Sequence, residues 1–140
     1  MKTWLIDTGP IIAYLDRGDP AHELISTCLD PFSGWLCTTE AVLLEAMHFL
    51  AAHREGPSLL ADFVEAGELH VYGSCEPGQI RKATQLMKRY ADTPMDFADA
   101  TLVLLAEQIG ATDIVTLDRR GFSTYRTNRF KAFRRILDPP

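Results

Sequence analysis

Apolar residues recur along the chain with two periods, one near 2 and one near 3.6, and stretches of the two kinds alternate. Trp4, Leu5 and Ile6 form a short apolar run ending at Asp7, which reads as a buried strand. After the turn Thr8-Gly9-Pro10, Ile11, Ile12, Tyr14 and Leu15 fall at helical spacing. Asp19-Pro20 has the composition of a helix start, Asp as N-cap and Pro in the first turn, for a helix running to about Cys28. Asp30-Pro31 through Gly34 reads as loop, Trp35 to Thr38 as a second strand, and Thr39 as the cap of a helix running to about Arg54. Gly56-Pro57-Ser58 breaks that helix, and Leu59 to Ala66 forms a shorter one. Leu69, Val71 and Tyr72 alternate with polar neighbours as a third strand. Ile80, Ala83, Leu86, Met87 and Tyr90 repeat at helical spacing until Thr93-Pro94. Phe97 to Ile109 is apolar on nearly every face, which predicts a buried helix. Ile114 to Leu117 reads as a fourth strand ending at Asp118, and Phe133 to Leu137 as a last one.

Strands alternating with helices over short connections imply crossovers. The fold class is therefore α/β, a three-layer α/β/α sandwich with a mainly parallel central sheet. No repeat, low-complexity tract or linker interrupts the pattern, so a single domain over residues 1–140 is expected. A chain of this length can bury roughly 70% of its unfolded surface, enough for a core without staples.

Composition sharpens this only in places. Cys28, Cys37 and Cys75 are odd in number, widely spaced and without a C-x-x-C, which fits reduced, buried thiols in a cytoplasmic protein. Asp7 interrupts the first apolar run too early for a signal peptide, and no stretch approaches the ~20 apolar residues of a membrane span. The net charge of −5 argues at first against a nucleic-acid partner, but its distribution weakens that argument. Seven of the 14 basic residues lie between Arg119 and Arg135, and no Asp or Glu occurs among residues 119–137. Such a run is either a solvated surface or a patch that engages phosphates.

The candidate chemistry lies in the acids. Asp7 and Asp118 each follow an apolar strand, and ligands in open parallel sheets bind beyond the carboxyl ends of strands. Asp96 and Asp99 share one face at the start of the buried helix. Glu45 has Ala41, Val42, His48 and Phe49 as helical neighbours, so it sits largely within an apolar face. Taken singly, each Asp has an ordinary explanation as a cap or turn residue, and Glu45 can snorkel to solvent. Together, separate chain segments deliver acids toward one edge. Clustered carboxylates suit a hard divalent cation such as Mg2+ or Mn2+. His22, His48, His53 and His70 include no i,i+4 pair and read as surface or packing residues. Dinucleotide, P-loop and G-x-S-x-G signatures are missing.

Leu5-Ile6-Asp7-Thr8, Glu45, Asp99-Ala100 heading a helix that ends at Gly110, Val115-Thr116-Leu117-Asp118 and Phe122 together resemble the PIN-domain superfamily, in particular its VapC-type toxins. The resemblance covers almost the whole chain. It implies a Mg2+- or Mn2+-dependent endoribonuclease acting as the toxin of a toxin–antitoxin pair, a homodimer, and inhibition by a small antitoxin. Asp7, Glu45, Asp99 and Asp118 match the family's acidic positions, with Asp7 and Asp99 as principal metal ligands and Asp96 as an extra acid. Thr8 and Thr116 are expected to hydrogen-bond the carboxylates, and Arg119 and Arg120 to hold the RNA backbone. Two alternatives stand beside this reading. One is a non-catalytic PIN-like module that binds RNA or a partner. The other is a phosphotransfer domain with Asp7 as nucleophile, disfavoured because Gly9 occupies the place of a second Asp.

Overall fold

The computed structural model describes residues 1–140. Five parallel strands form one sheet: β1 (Thr3–Ile6), β2 (Trp35–Thr39), β3 (His70–Tyr72), β4 (Asp113–Val115) and β5 (Arg134–Arg135). The helices are α1 (Thr8–Leu15), α2 (His22–Leu29), α3 (Glu40–Leu50), α4 (Gly56–Glu65), α5 (Pro77–Arg89), α6 (Phe97–Ile109) and α7 (Gly121–Thr124). Leu5 and Ile6 are adjacent in β1, point to opposite faces, and are both fully buried. Helices therefore cover both sides of the sheet, as the alternating pattern predicts.

The strand order is β3-β2-β1-β4-β5. The chain winds outward from β1 to β2 and β3, then returns to the other side of β1 for β4 and β5. The order reverses between β1 and β4, which places a topological switch point, and hence a crevice, beyond the carboxyl ends of those two strands. In register, Leu5 lies beside Ile114 and Ile6 beside Val115. The ladder runs one bond further, with the Asp7 amide donating to the Val115 carbonyl at 3.0 Å. Asp7 is thus held at the crevice mouth by the sheet itself.

The buried helix is α6, with Ala98, Ala100, Thr101, Leu102, Val103, Leu105 and Ala106 all in the core. It ends where Gly110 takes φ 69°, a left-handed conformation that glycine adopts without a Cβ penalty. A hydroxyl chain fixes its first turns. Thr101 donates to the Ala98 carbonyl at 2.7 Å, so the 2.8 Å bond between Thr39 and Thr101 has Thr39 as donor. Thr39 in turn accepts from the Val42 amide and caps α3. Every group in this buried set is satisfied, which locks the N-terminal ends of α3 and α6 together.

Several boundaries differ from the sequence reading. Asp19 does not cap α2. Its side chain accepts from the Ala21 amide in a turn, and α2 starts at His22. Gly56-Pro57 opens α4, because Pro needs no amide partner in a first helical turn. α3 stops at Leu50 rather than near Arg54. β4 ends at Val115, and β5 is only Arg134–Arg135, so the predicted strand over Phe133 to Leu137 is mostly irregular chain. α7 has no counterpart in the sequence reading. Cys37 is buried and Cys28 partly so, but Cys75 is exposed, contrary to the expectation of three buried thiols. No helix is long and apolar enough to cross a membrane.

Candidate active site

Four chain segments meet at the switch point. Asp7 is the N-cap of α1, and its Oδ1 accepts from the Thr8 amide at 2.8 Å. Its Oδ2 accepts from the Thr116 hydroxyl at 3.0 Å. The same Thr116 oxygen accepts from the Asp118 amide at 3.0 Å. One buried threonine after β4 therefore orients the carboxylate after β1 and the backbone that carries Asp118. Thr8 behaves otherwise than expected. It reaches Asp7 through its amide, while its hydroxyl is buried without a hydrogen-bond partner.

Asp96 and Asp99 open α6 in a reciprocal capping box. Asp96 Oδ1 accepts from the Asp99 amide at 2.8 Å, and Asp99 Oδ2 from the Asp96 amide at 3.1 Å. Each keeps one carboxylate oxygen without a backbone partner. Asp118 does the same, since Oδ1 takes the Arg120 and Gly121 amides at 3.1 and 2.9 Å and Oδ2 takes none. The capping explanation is met by one oxygen of each side chain, and the other oxygen is left without a backbone partner.

The carboxyls behave as a crowd. Burial pushes Asp7 up from 3.8 to about 6, against the pull of its bonds to Thr8 and Thr116, with Asp96 and Glu45 adding repulsion. Burial and then the charges of Asp7 and Asp96 push Asp99 up to about 8. Removing negative charge from this pole, or adding positive charge to it, is therefore favourable. No three of these side chains already converge on a common point at ligating distance.

Glu45 lies at the margin. Ala41 and Val42 beside it are buried, but His48 and Phe49 are exposed, so only half of its expected apolar face is packed. It shares a shallow hollow with Leu44, Cys75, Asp96 and Phe97, and its charge is felt at Asp7. Arg119 and Arg120 follow Asp118 directly, are exposed, and make no ion pair.

Tyr125 went unnoticed in the sequence. It is fully buried, donates from its hydroxyl to the Pro94 carbonyl at 2.9 Å, and packs edge-on against Tyr90 and Phe122. Burial and the charges of Asp99, Asp118, Asp96 and Asp7 raise its pKa, so it stays a neutral phenol on the floor of the acid pole. Gly121 makes this possible, because a Cβ there would stand 2.3 Å from Asp118 Oδ2 and 2.9 Å from the Tyr125 hydroxyl. The spacing of three between Phe122 and Tyr125 hinted at a shared packed face, but nothing local ties Tyr125 to Pro94.

The site is thus a set of carboxylates at the switch point of a parallel sheet. The PIN domain matches residues 4–127, so the chain belongs to the PIN-domain family. It is similar to Ribonuclease VapC26 of Mycobacterium tuberculosis, at 35% identity over 124 residues that cover 87% of this chain and 91% of that protein. The crystal structure of Mycobacterium tuberculosis VapC20, described as a sarcin-ricin loop cleaving toxin, superposes with a TM-score of 0.76. That match covers 86% of this chain and 92% of the other at 17% identity, a likeness of fold.

Proposed function

We propose that this chain is a ribonuclease toxin of the VapC type, hydrolysing RNA phosphodiester bonds with Mg2+ or Mn2+. The observation that carries the reading is the pairing of Asp7 with Asp99 at the switch point, partly buried and repelling one another. Membership of the PIN family and the likeness to a named ribonuclease support it. The donor set is all oxygen, without sulfur or imidazole, and fits a hard cation. The unpartnered Thr8 hydroxyl adds a polar atom in the residue next to Asp7 that still lacks a partner.

Asp7 and Asp99 are the residues that would hold the cation, with Asp96 beside them. When bound, the cation polarises a phosphoryl oxygen and lowers the pKa of an attacking water. The protein's own groups do the rest. Thr116 fixes the Asp7 carboxylate against rotation. Asp118 Oδ2 and the Glu45 carboxylate are the groups to orient the water and take its proton. Arg119 and Arg120 steer and hold the sugar-phosphate backbone. A small antitoxin that covers the crevice, a homodimeric state and a cytoplasmic location complete the reading. In the test, purified chain freed of antitoxin cuts RNA in Mg2+ or Mn2+ and stops in EDTA. Robust cleavage in metal-free buffer sinks the cation, and no cleavage under any condition leaves the family's fold serving as a binding module.

A further inference from the structure

Residues 126–132 form a hairpin that straddles the C-terminal end of the family match, bridged antiparallel between Arg126 and Ala132. The Phe130 amide donates to the Thr127 carbonyl at 2.9 Å, and the Thr127 amide to the Lys131 carbonyl at 3.1 Å. A turn closed in this way places its last loop residue in the left-handed region, where glycine or asparagine is expected. Here that residue is Phe130, at φ 61°. A bulky side chain at positive φ is strained and persists only where its surroundings over-determine it. They do so here. The Thr127 hydroxyl accepts from the Lys131 amide at 3.1 Å, and Glu107 at the end of α6 accepts from the Asn128 amide at 2.7 Å.

The strain does nothing for the core. Phe130 is 86% exposed and stacks on no other ring. Arg129 and Lys131 flank it, both exposed and without ion pairs. A polar groove beside the hairpin is lined by Glu107, Gln108, Thr112, Asn128, Arg129 and Lys131, with Glu107 engaged by the Asn128 amide. An aromatic face held out between two free cations has the chemistry that takes an unstacked nucleobase and its phosphates. The hairpin packs on the C-terminal end of α6, whereas Asp96 and Asp99 begin that helix, so roughly 20 Å separates the two ends.

We propose that this hairpin is a second RNA contact, in which Phe130 stacks on an unpaired base while Arg129 and Lys131 grip the adjoining backbone. The site lies several nucleotides from the scissile bond and favours single-stranded over paired RNA. It rests on the ribonuclease reading and deepens it, naming a feature of the substrate that the acid pole cannot recognise.

The test is fluorescence anisotropy in EDTA with a labelled single-stranded oligoribonucleotide and with the same strand in a duplex. Phe130→Ala weakens single-strand binding on the order of tenfold and duplex binding far less. Phe130→Trp restores it and Phe130→Leu does not. Phe130→Gly relieves the backbone, so it melts no lower than wild type yet binds as poorly as the Ala variant, separating recognition from folding. Arg129→Ala and Lys131→Ala each flatten the salt dependence by about 0.7 of a unit in logarithmic slope. Wild-type binding retained in Phe130→Ala overturns the proposal while leaving cleavage untouched. A changed oligomeric state by light scattering with unchanged RNA affinity also overturns it, and assigns the hairpin to contact with a second copy. Failure of the wild type itself to bind either RNA also overturns the proposal, while the ribonuclease reading is decided separately by cleavage in Mg2+ or Mn2+.

Discussion

The acid pole and the basic C-terminal stretch are opposites in how charge is spent. Both are dense in the sequence. Of the seven cations between Arg119 and Arg135, three are consumed internally. Arg134 forks onto Asp113 at 2.9 and 3.0 Å, Arg135 is buried against Asp138, and Arg126 donates to the carbonyls of Ser123, Thr124 and Tyr125. The basic run therefore shrinks to Arg119 and Arg120 near the crevice and Arg129 and Lys131 at the hairpin. At the acid pole no cation answers the carboxylates. Backbone amides and one hydroxyl hold them, and they go on repelling one another. Local charge density thus says little about function. The fold answers two of the basic charges with carboxylates and a third with backbone carbonyls, whereas it answers none of the clustered acids with a cation.

The largest effect expected from this contrast is at Asp7. Asp7→Asn keeps an acceptor for the Thr8 amide but removes the charge, and RNA cleavage should fall by roughly three orders of magnitude, the scale of several kcal/mol of transition-state stabilisation. Steady-state cleavage with folding checked by circular dichroism decides it, and near-normal activity removes Asp7 from the site.

Tyr125→Phe comes next. It strands the Pro94 carbonyl beneath the site, at a cost of about 1–3 kcal/mol in denaturant unfolding. If the phenol serves only as packing, stability should hardly change.

The smallest effects separate the two kinds of arginine. Replacing Arg119 and Arg120 by Ala should reduce the logarithmic salt slope of RNA binding by about 1.4 while leaving stability unchanged. Arg134→Ala should cost under ~1 kcal/mol of stability, as a half-exposed ion pair does, and leave RNA binding alone. Equal effects on RNA from both would mean the internal pairing does not matter.

The parts of this account legible in the sequence are those governed by local pattern. The alternation of apolar periods announced a helix-covered parallel sheet, and a strand end announced Asp7, whereas Asp118 lies three residues beyond the end of β4. Asp96 and Asp99 were legible as a capping pair because i,i+3 spacing at a helix start has one geometry. Pairings made across the chain were not legible. Arg134 finds Asp113 only because β5 lies beside β4, and the bond from Tyr125 to Pro94 spans 31 residues of chain. Thr116 was expected to support a carboxylate and does, but its second role, receiving the Asp118 amide, depends on β4 ending at Val115 rather than Leu117. Glu45 is less enclosed than its helical spacing suggests, because spacing identifies neighbours without saying whether they are covered.

The acid pole holds carboxylates that are buried and repel one another, a cost that a divalent cation relieves, and thermal unfolding tests this without relying on activity. The folded-state pKa values of Asp7 and Asp99 lie above the ordinary 3.8, so the metal-free native state binds more protons than the unfolded chain. Stability in EDTA should therefore rise as pH falls from about 8 toward about 5, and be lost as pH rises through the same window. Asp99→Asn retains the capping acceptor, removes one charge, and should flatten that dependence while melting no lower than wild type at pH near 8. Excess Mg2+ at the same pH should raise the melting temperature of wild type by mass action and that of Asp99→Asn much less. An identical Mg2+ response in the two proteins, with no pH dependence in EDTA, would contradict the account.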